Sequence, residues 1–398
     1  MSLGGADAAN SDATVVTVQV AESIAEIEEL RPRWSSWHRH PNSDINYYLG
    51  SLRTIPGTLR PHVMAVHRGG VLDCLLVGKL HKGLSAISSA GIPLPPARIL
   101  YFVTEGFLGN RSTENAELLV NLVLHCLRQG RADVAEFNDL PEDSPLYRAA
   151  SRIPGVLCRD RSPVVRIHRR LVLPATFQEY LRGLSAKERS NVRAHEKLLR
   201  NRFPGQVRVH RFCQDEIDTL IRDVETIAAK SYQRALGTGF TLADTPTLRL
   251  DAENSSLRAY VLYLQGEPSA FLIATWYKGT SYGRSIGYDP KYRRYSPGQH
   301  LLLCFIEDCF DLNGRPQTIA IDPGAGAQQY KRSFTNRETN EYSIAIYAPT
   351  AKGIFLNLLR TSGLLGARGA KAFLAKTGLT TSAWRMWKTW HWRQPPPR

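Results

Sequence analysis

The sequence predicts an α/β (α+β) protein of two lobes of the same kind, each a mixed, mostly antiparallel sheet flanked by helices. Two observations point there. A hairpin, a long apolar helix and a short strand follow one another twice, in the same order, with the hairpins about 196 residues apart. A chain of 398 residues with 43% hydrophobic side chains also exceeds what one small core needs, so two units with sizeable cores are expected.

In chain order, residues 1–12 are rich in Ala, Gly, Ser and Asn and read as a loose, disordered start. Residues 15–20 alternate as a strand. Residues 21–37 follow as a helix, with Glu26, Glu28 and Glu29 ahead of Arg31 and Arg33 as the helix dipole prefers. Pro32 is expected to break or kink it. Strands over 62–67 and 71–80 meet at Arg68-Gly69-Gly70, and Lys82-Gly83 turns the chain into another strand over 84–90. A helix over 113–127 and a strand over 134–137 complete the first lobe.

In the second lobe, strands over 259–264 and 269–277 flank the turn Gln265-Gly266-Glu267-Pro268. Lys278-Gly279 then matches Lys82-Gly83, and Gly287 matches Gly91. A helix over 296–312 and a strand over 318–321 follow. The expected division is 1–12, a first lobe 13–160, a second lobe 161–350, and a tail 351–398.

Between the lobes lies a basic stretch with Arg159, Arg161, Arg166, Arg169 and Arg170. It runs into a helix from about residue 186, opened by a capping box of Ser185 and Glu188. Lys187, Arg189, Arg193, Lys197, Arg200 and Arg202 decorate that helix. Its charge reads as a solvated face, or as a clamp on an anionic acceptor or tRNA, although few aromatics interleave for base stacking.

Net charge is +15, which favours anionic partners: coenzyme phosphates, acidic polymers, a membrane surface or RNA. The six cysteines lack paired metal spacing and read as reduced packing residues. No signal peptide and no apolar run of the ~18–20 residues a span needs are evident, so a cytoplasmic protein is expected. No metal site is expected, and no Ser-His-Asp order, HExxH or Walker loop supports hydrolase or nucleotide triphosphatase chemistry.

The tail holds nine Lys/Arg, no Asp or Glu, and Trp384, Trp387, Trp390 and Trp392. Two readings stand: an anchor at an anionic membrane surface, or a helix packed on a lobe and weakened by Gly363, Gly366 and Gly369.

Functional expectations centre on residues 281–310. Tyr282, Arg284, Ile286 and Tyr288 alternate as a strand that Asp289-Pro290 ends. A basic loop, 291–295, precedes Ser296 as N-cap, Pro297 at the first helical position, and Gly298, where a ligand can approach bare backbone. An amide-rich helix start with Arg293 and Arg294 beside it suits a phosphate. The first lobe has Gly109-Asn110-Arg111-Ser112 at the matching place, so only the second lobe is expected to hold a cofactor.

The run Arg293-Arg294-Tyr295-Ser296-Pro297-Gly298 resembles the coenzyme A loop [QR]-x-x-G-x-[GA] of Gcn5-related (GNAT) N-acetyltransferases, with serine for the middle glycine. Together with Ile321-Asp322-Pro323-Gly324 and Tyr330-Lys331 it is similar to the CelD/BcsL-type acetyltransferases of bacterial polysaccharide production, relatives of the FemABX aminoacyltransferases. That resemblance implies two tandem GNAT-like lobes. It also implies an acyl-CoA-dependent N- or O-acyltransferase acting on a sugar or cell-envelope/exopolysaccharide precursor, with acetyl-CoA or another acyl-CoA as donor. The alternatives are a FemABX-like aminoacyl-tRNA-dependent transferase and a degenerate, membrane-associated scaffold.

Coenzyme contacts are expected from Arg293, Arg294, Tyr295, Ser296, Gly298, Gln299, Gly287 and Tyr288. An amide within 285–288 would polarise the thioester carbonyl. Tyr330 is expected to protonate the leaving thiolate, because an ordinary phenol has a pKa of about 10. Asp322 and Lys331 would position substrate or order the loop; an Asx-type turn before Pro323-Gly324 is the plainer role for Asp322. Asp289, His300 and Glu267 read as structural or solvated, and no acceptor base is evident.

Overall fold

The computed structural model describes residues 15–54, 57–83, 95–231, 234, 239–310, 318–324 and 329–376. Strand β1 (Val16–Ala21) precedes helix α1 (Ile24–Trp37), and helix α2 (Ile45–Thr54) follows. Ser23 and Glu26 form a reciprocal capping box that starts α1. The helix runs through Pro32 rather than stopping there. Trp34, fully buried below it, donates its indole N–H to the carbonyl of Ser43 at 2.7 Å.

Strands β2 (Thr58–Pro61), β3 (Val63–Arg68), β4 (Val71–Gly83) and β5 (Ala97–Gly109) come next. Helix α3 (Thr113–Arg128), β6 (Val134–Pro141), α4 (Pro145–Arg152) and β7 (Val164–Val172) complete the first series. The expected turn at Lys82-Gly83 is absent, because β4 stays paired to β5 through Gly83. The counterpart of Gly287 is therefore not Gly91, which lies outside the described residues with the expected strand 84–90. Register makes Leu108 that counterpart, since Leu75 faces Leu108 as Phe271 faces Gly287.

The second series opens with α5 (Phe177–Gly183), α6 (Ala186–Arg202), β8 (Val207–Phe212), α7 (Ile217–Ala228) and α8 (Thr245–Glu253). It continues through β9 (Leu257–Leu264), β10 (Glu267–Tyr277) and β11 (Thr280–Tyr288) to α9 (Pro297–Asp308). Then come β12 (Ala320–Asp322), α10 (Gln329–Phe334), β13 (Arg337–Tyr347) and α11 (Ala351–Lys376). Ser185 caps α6, but Glu188 bonds the Ser333 hydroxyl at 3.1 Å.

All strands join one mixed sheet, ordered β1-β3-β4-β5-β6-β13-β7-β12-β11-β10-β9-β8, with β2 on β4. Matching β1, β3, β4, β5, β6 and β7 to β8, β9, β10, β11, β12 and β13 makes that order read the same from either end. The lobes are thus related by an approximate twofold through the β7–β13 pairing, where Arg166 faces Glu341. Each lobe's last strand has crossed over: β13 pairs with β6 of the first, β7 with β12 of the second.

The basic stretch 159–170 is accordingly not a solvated linker. Arg169 is buried and bonds Glu338 at 2.8 Å, and Arg170 reaches Asp322 at 3.2 Å. On α6, by contrast, Lys187, Arg193, Lys197, Arg200 and Arg202 are exposed, as a solvated face requires.

The tail begins as a continuous helix despite its glycines. Arg360, fully buried, pairs with Asp160 and donates to the carbonyl of Ser162. Asn357 donates to the carbonyls of Leu157 and Arg159 at 2.9 Å. Residues 377–398, with the four tryptophans, lie outside the described residues, as does the start 1–12. No described helix is long and apolar enough to cross a membrane.

Candidate active site

The site grows from a split in the sheet. Strands β11 and β12 run parallel and pair only over Thr280–Ala320, Ser281–Ile321 and Tyr282–Asp322. Beyond that β11 stays bonded to β10 as far as Tyr288, while β12 turns away at Pro323-Gly324. Alternate amides of β11 between Gly283 and Tyr288 therefore face a gap instead of a neighbouring strand. An extra residue in β11, opposite the step from Ile273 to Ala274, adds a bulge there.

Helix α9 starts at the open end of this gap. Ser296 adopts the left-handed conformation (φ 50°, ψ 48°) that glycine tolerates best. That explains how serine replaces a glycine without changing the path of the loop. It also corrects the expectation of a capping serine: its side chain makes no cap hydrogen bond. His195 of α6 braces the loop, with Nε2 3.4 Å from the Ser296 hydroxyl and Nδ1 3.1 Å from Gln299 Oε1.

Pro297 has no amide, and Gln299 and His300 donate to the carbonyl of Ser296. The amide of Gly298 is thus left for a ligand among the described residues. A Cβ at Gly298 would meet only Tyr288 at 3.6 Å and Ile286 at 4.0 Å. Packing therefore does not demand glycine here, whereas a closely approaching ligand would. Arg293 and Arg294 are exposed on the short 3₁₀ turn Pro290–Tyr295 before the helix, which replaces the expected irregular loop. Tyr295 is buried against Phe203, with ring centroids 5.1 Å apart, so its side chain holds the turn down and only its backbone faces outward. Gly287 is likewise buried, paired with Phe271.

Two cavities meet at β11. One, of about 210 Å³, follows the gap between Leu272–Ala274, Gly283–Ile286, Phe305 and Lys331. The other, of about 410 Å³, opens at the seam between lobes and is lined by His40, Asp139, His168, Arg284, Asp322 and Glu341 among others. Gly283, Arg284 and Ser285 line both. The geometry offers a slot for an extended donor and a cleft for an acceptor, meeting at the β11 bulge.

Sequence reasoning named Asp322 but missed its partners in the charged centre of this cleft, His168 and Glu341. His168 of β7 lies 2.8 Å from Asp322 through Nε2 and 2.8 Å from Glu341 through Nδ1. Each ring nitrogen faces a carboxylate oxygen, an arrangement that favours the imidazolium, in which both nitrogens donate. Burial alone would lower its pKa, but the hydrogen bonds to the two carboxylates raise it to about 10. Asp322 would be raised by burial, yet the His168 bond, the Gly324 amide and Arg170 hold it below its usual range. Burial lifts Glu341 despite the His168 bond. These residues come from three strands joined only by the crossover, and no local spacing announces them.

Asp322 makes the Asx turn weighed for it, Oδ1 accepting from the Gly324 amide at 2.9 Å, while Oδ2 holds His168, a contact the sequence did not suggest. Lys331 is buried beside the donor slot and donates to the carbonyl of Gly324 at 3.2 Å. Tyr330 sits on α10, next to the slot in sequence, but its side chain lies outside the described residues. Asp289 accepts from the amide of Lys291, Glu267 is exposed, and His300 contacts Cys304 at 3.8 Å, so these stay structural or solvated.

Residues 186–332 match the family described as acetyltransferase (GNAT) domain. The match runs from α6 to α10, ending before β13. No curated protein matches the chain in sequence. A conserved protein of unknown function from Bacteroides thetaiotaomicron superposes with a TM-score of 0.50 at 12% identity, covering 83% of this chain and 100% of its own. FemX gives 0.49 at 11% identity over 76% and 90%. A tandem GNAT protein from the clavulanic acid biosynthesis pathway gives 0.49 at 13% over 84% and 100%.

Proposed function

From the premise that the chain is an acyltransferase with a GNAT domain at 186–332, we propose that it transfers an acyl group from acyl-CoA, acetyl-CoA being the simplest donor, to nitrogen or oxygen of a second substrate. One observation carries this reading: an uncapped helix start at Ser296–Gly298 opens onto the gap between β11 and β12. Helix amides and dipole would meet the pyrophosphate there, with Arg293 and Arg294 adding charge. The pantetheine arm would then lie along β11, whose outward amides can polarise the thioester carbonyl. Tyr330 would protonate the thiolate as it leaves. Glu341, whose pKa burial raises, is suited to take the acceptor's proton in the cleft.

The acceptor we propose is of the sugar or cell-envelope precursor kind. Calorimetry of the full chain with acetyl-CoA, coenzyme A and an aminoacyl-tRNA tests the donor. Saturable binding of the first two supports the reading, and a response to aminoacyl-tRNA alone overturns it.

For the tail we propose a peripheral contact with anionic lipid. The outer face of α11 exposes Phe355, Leu358 and Leu365, and the segment beyond it is basic and rich in tryptophan. Because Arg360 and Asn357 make residues 351–366 part of the first lobe's packing, the informative deletion is 377–398. Loss of salt-sensitive co-sedimentation with anionic vesicles is expected, and unchanged binding by the truncated protein refutes the contact.

A further inference from the structure

The approximate twofold carries the donor slot onto a matching place in the first lobe, and a cavity of about 210 Å³ is found there. Register fixes the correspondence: Leu76 faces Phe107 as Leu272 faces Ile286, and the pairing becomes irregular after Leu76 in one lobe and after Ile273 in the other. Strands β5 and β6 also part, after pairing as far as Phe102 and Phe137, whose rings stack at 4.8 Å and floor the cavity.

What the first lobe lacks is the anion hook. The start of α3 is closed by its own chain: Ser112 accepts from the amide of Asn115, and Asn115 Nδ2 donates to Asp73 at 2.7 Å. A fixed carboxylate thus stands near where a pyrophosphate would bind. The remaining slot has an apolar wall of Leu76, Phe107, Leu140 and Leu146 over the Phe102 and Phe137 rings, with Glu105, Arg111 and Asp143 also lining it, and it shares Asp139 with the acceptor cleft. Asp139 (φ 50°) and Glu105 (φ 56°) line this slot in left-handed backbone, a cost that persists where the surroundings impose it. Asp139, Asp244 and Glu341 bring carboxylates to the cleft itself.

We propose that the first lobe's former donor slot is a subsite for the acceptor: it takes a hydrocarbon arm, while the carboxylates of the cleft receive that molecule's amine. The acceptor class is an amphiphilic amine, and this deepens the acyltransfer reading, on which it rests. No second coenzyme is accommodated, because Asp73 repels the phosphates and the slot offers no cation but the Glu105-paired Arg111.

The test is calorimetry of the full chain with n-butylamine and n-octylamine, each below its aggregation concentration. Each buried methylene is worth about fourfold in affinity, so octylamine should bind on the order of a hundredfold tighter. Ser144→Trp at the slot mouth, where Ser144 makes no side-chain cap bond, should erase that gain and leave coenzyme A binding unchanged. Asp139→Asn should weaken both amines by a similar factor and keep the chain-length gain. Equal affinity for the two amines, or a gain that survives Ser144→Trp, overturns the subsite. Failure of coenzyme A to bind the wild-type chain would instead remove the acyltransfer reading and leave the chain-length result standing on its own.

Discussion

The same structural unit occurs twice in this chain, and the starts of its two long helices differ: one leaves its N-cap side chain unbonded to the helix, while the other is closed by its own side chains. In the first lobe, Asp73 takes hydrogen bonds from Asn110, Asn115 and Arg68, and Ser112 caps α3. Burial would raise the Asp73 pKa, but these bonds hold it below the usual range, so the helix start carries its own anion. In the second lobe, the Ser296 side chain makes no bond to the helix amides and the first turn of α9 holds no carboxylate. A helix terminus is a binding site only when its own sequence leaves it unsatisfied.

The sharpest way to break that contrast is Gly298→Glu, which puts a carboxylate where the first lobe has Asp73. Coenzyme A affinity should fall at least a hundredfold by calorimetry, with the fold unchanged by circular dichroism, since that Cβ would meet nothing closer than Tyr288 at 3.6 Å. The first-lobe control is Arg111→Glu, expected to leave affinity alone. Gly109 is unsuitable as a control, because at φ 79° its Cβ would lie 2.4 Å from the Asp73 carbonyl. Equal losses from both variants would erase the distinction between lobes.

Tyr330→Phe probes chemistry rather than binding. It should lower kcat and kcat/KM together, by about 10²-fold or more, while coenzyme affinity holds. Wild-type turnover with chemistry limiting would make Tyr330 a packing residue.

The seam between lobes should show itself in pH dependence. His168 has its folded pKa raised to about 10, above the ~6.5 of an unfolded chain. Its contribution is therefore complete below about pH 6.5 and is lost as pH rises through 10. Asp322, lowered in the fold, contributes above its unfolded pKa and loses that contribution in acid. His168→Gln should flatten the decline in Tm between pH 7 and 10. An unchanged slope would show that the imidazolium does not join the lobes.

The smallest effect is expected from Ser296→Gly. Left-handed backbone costs serine about 1 kcal/mol, against which glycine adds ~0.5 kcal/mol of unfolded-chain entropy. Stability should rise slightly and coenzyme affinity should hold. A clear loss of affinity would mean that the Ser296 hydroxyl, held near His195, is itself a ligand.

The sequence by itself determined the repeated hairpins, the long helices of both lobes and the place where α9 starts, because these depend on residues close together in the chain. Turn glycines, alternating apolar residues and the Ser296-Pro297-Gly298 run act through local backbone preference and burial. Even so, local signals misplaced the end of β4 and expected a break or kink in α1 at a proline that the helix runs through, since tertiary packing can outweigh propensity.

Tertiary structure alone decided the exchange of β7 and β13, and with it the cleft at the seam. His168, Asp322 and Glu341 are 154 and 173 residues apart in the pairs that touch. They meet only because each lobe finishes its sheet with the other's last strand. Arg166, Arg169 and Arg170 of the basic run pair with Asp139, Glu338 and Asp322 on nearby strands for the same reason. Strand alternation tells which residues share a face, but which strand lies alongside is settled by long-range pairing, and no local spacing records it.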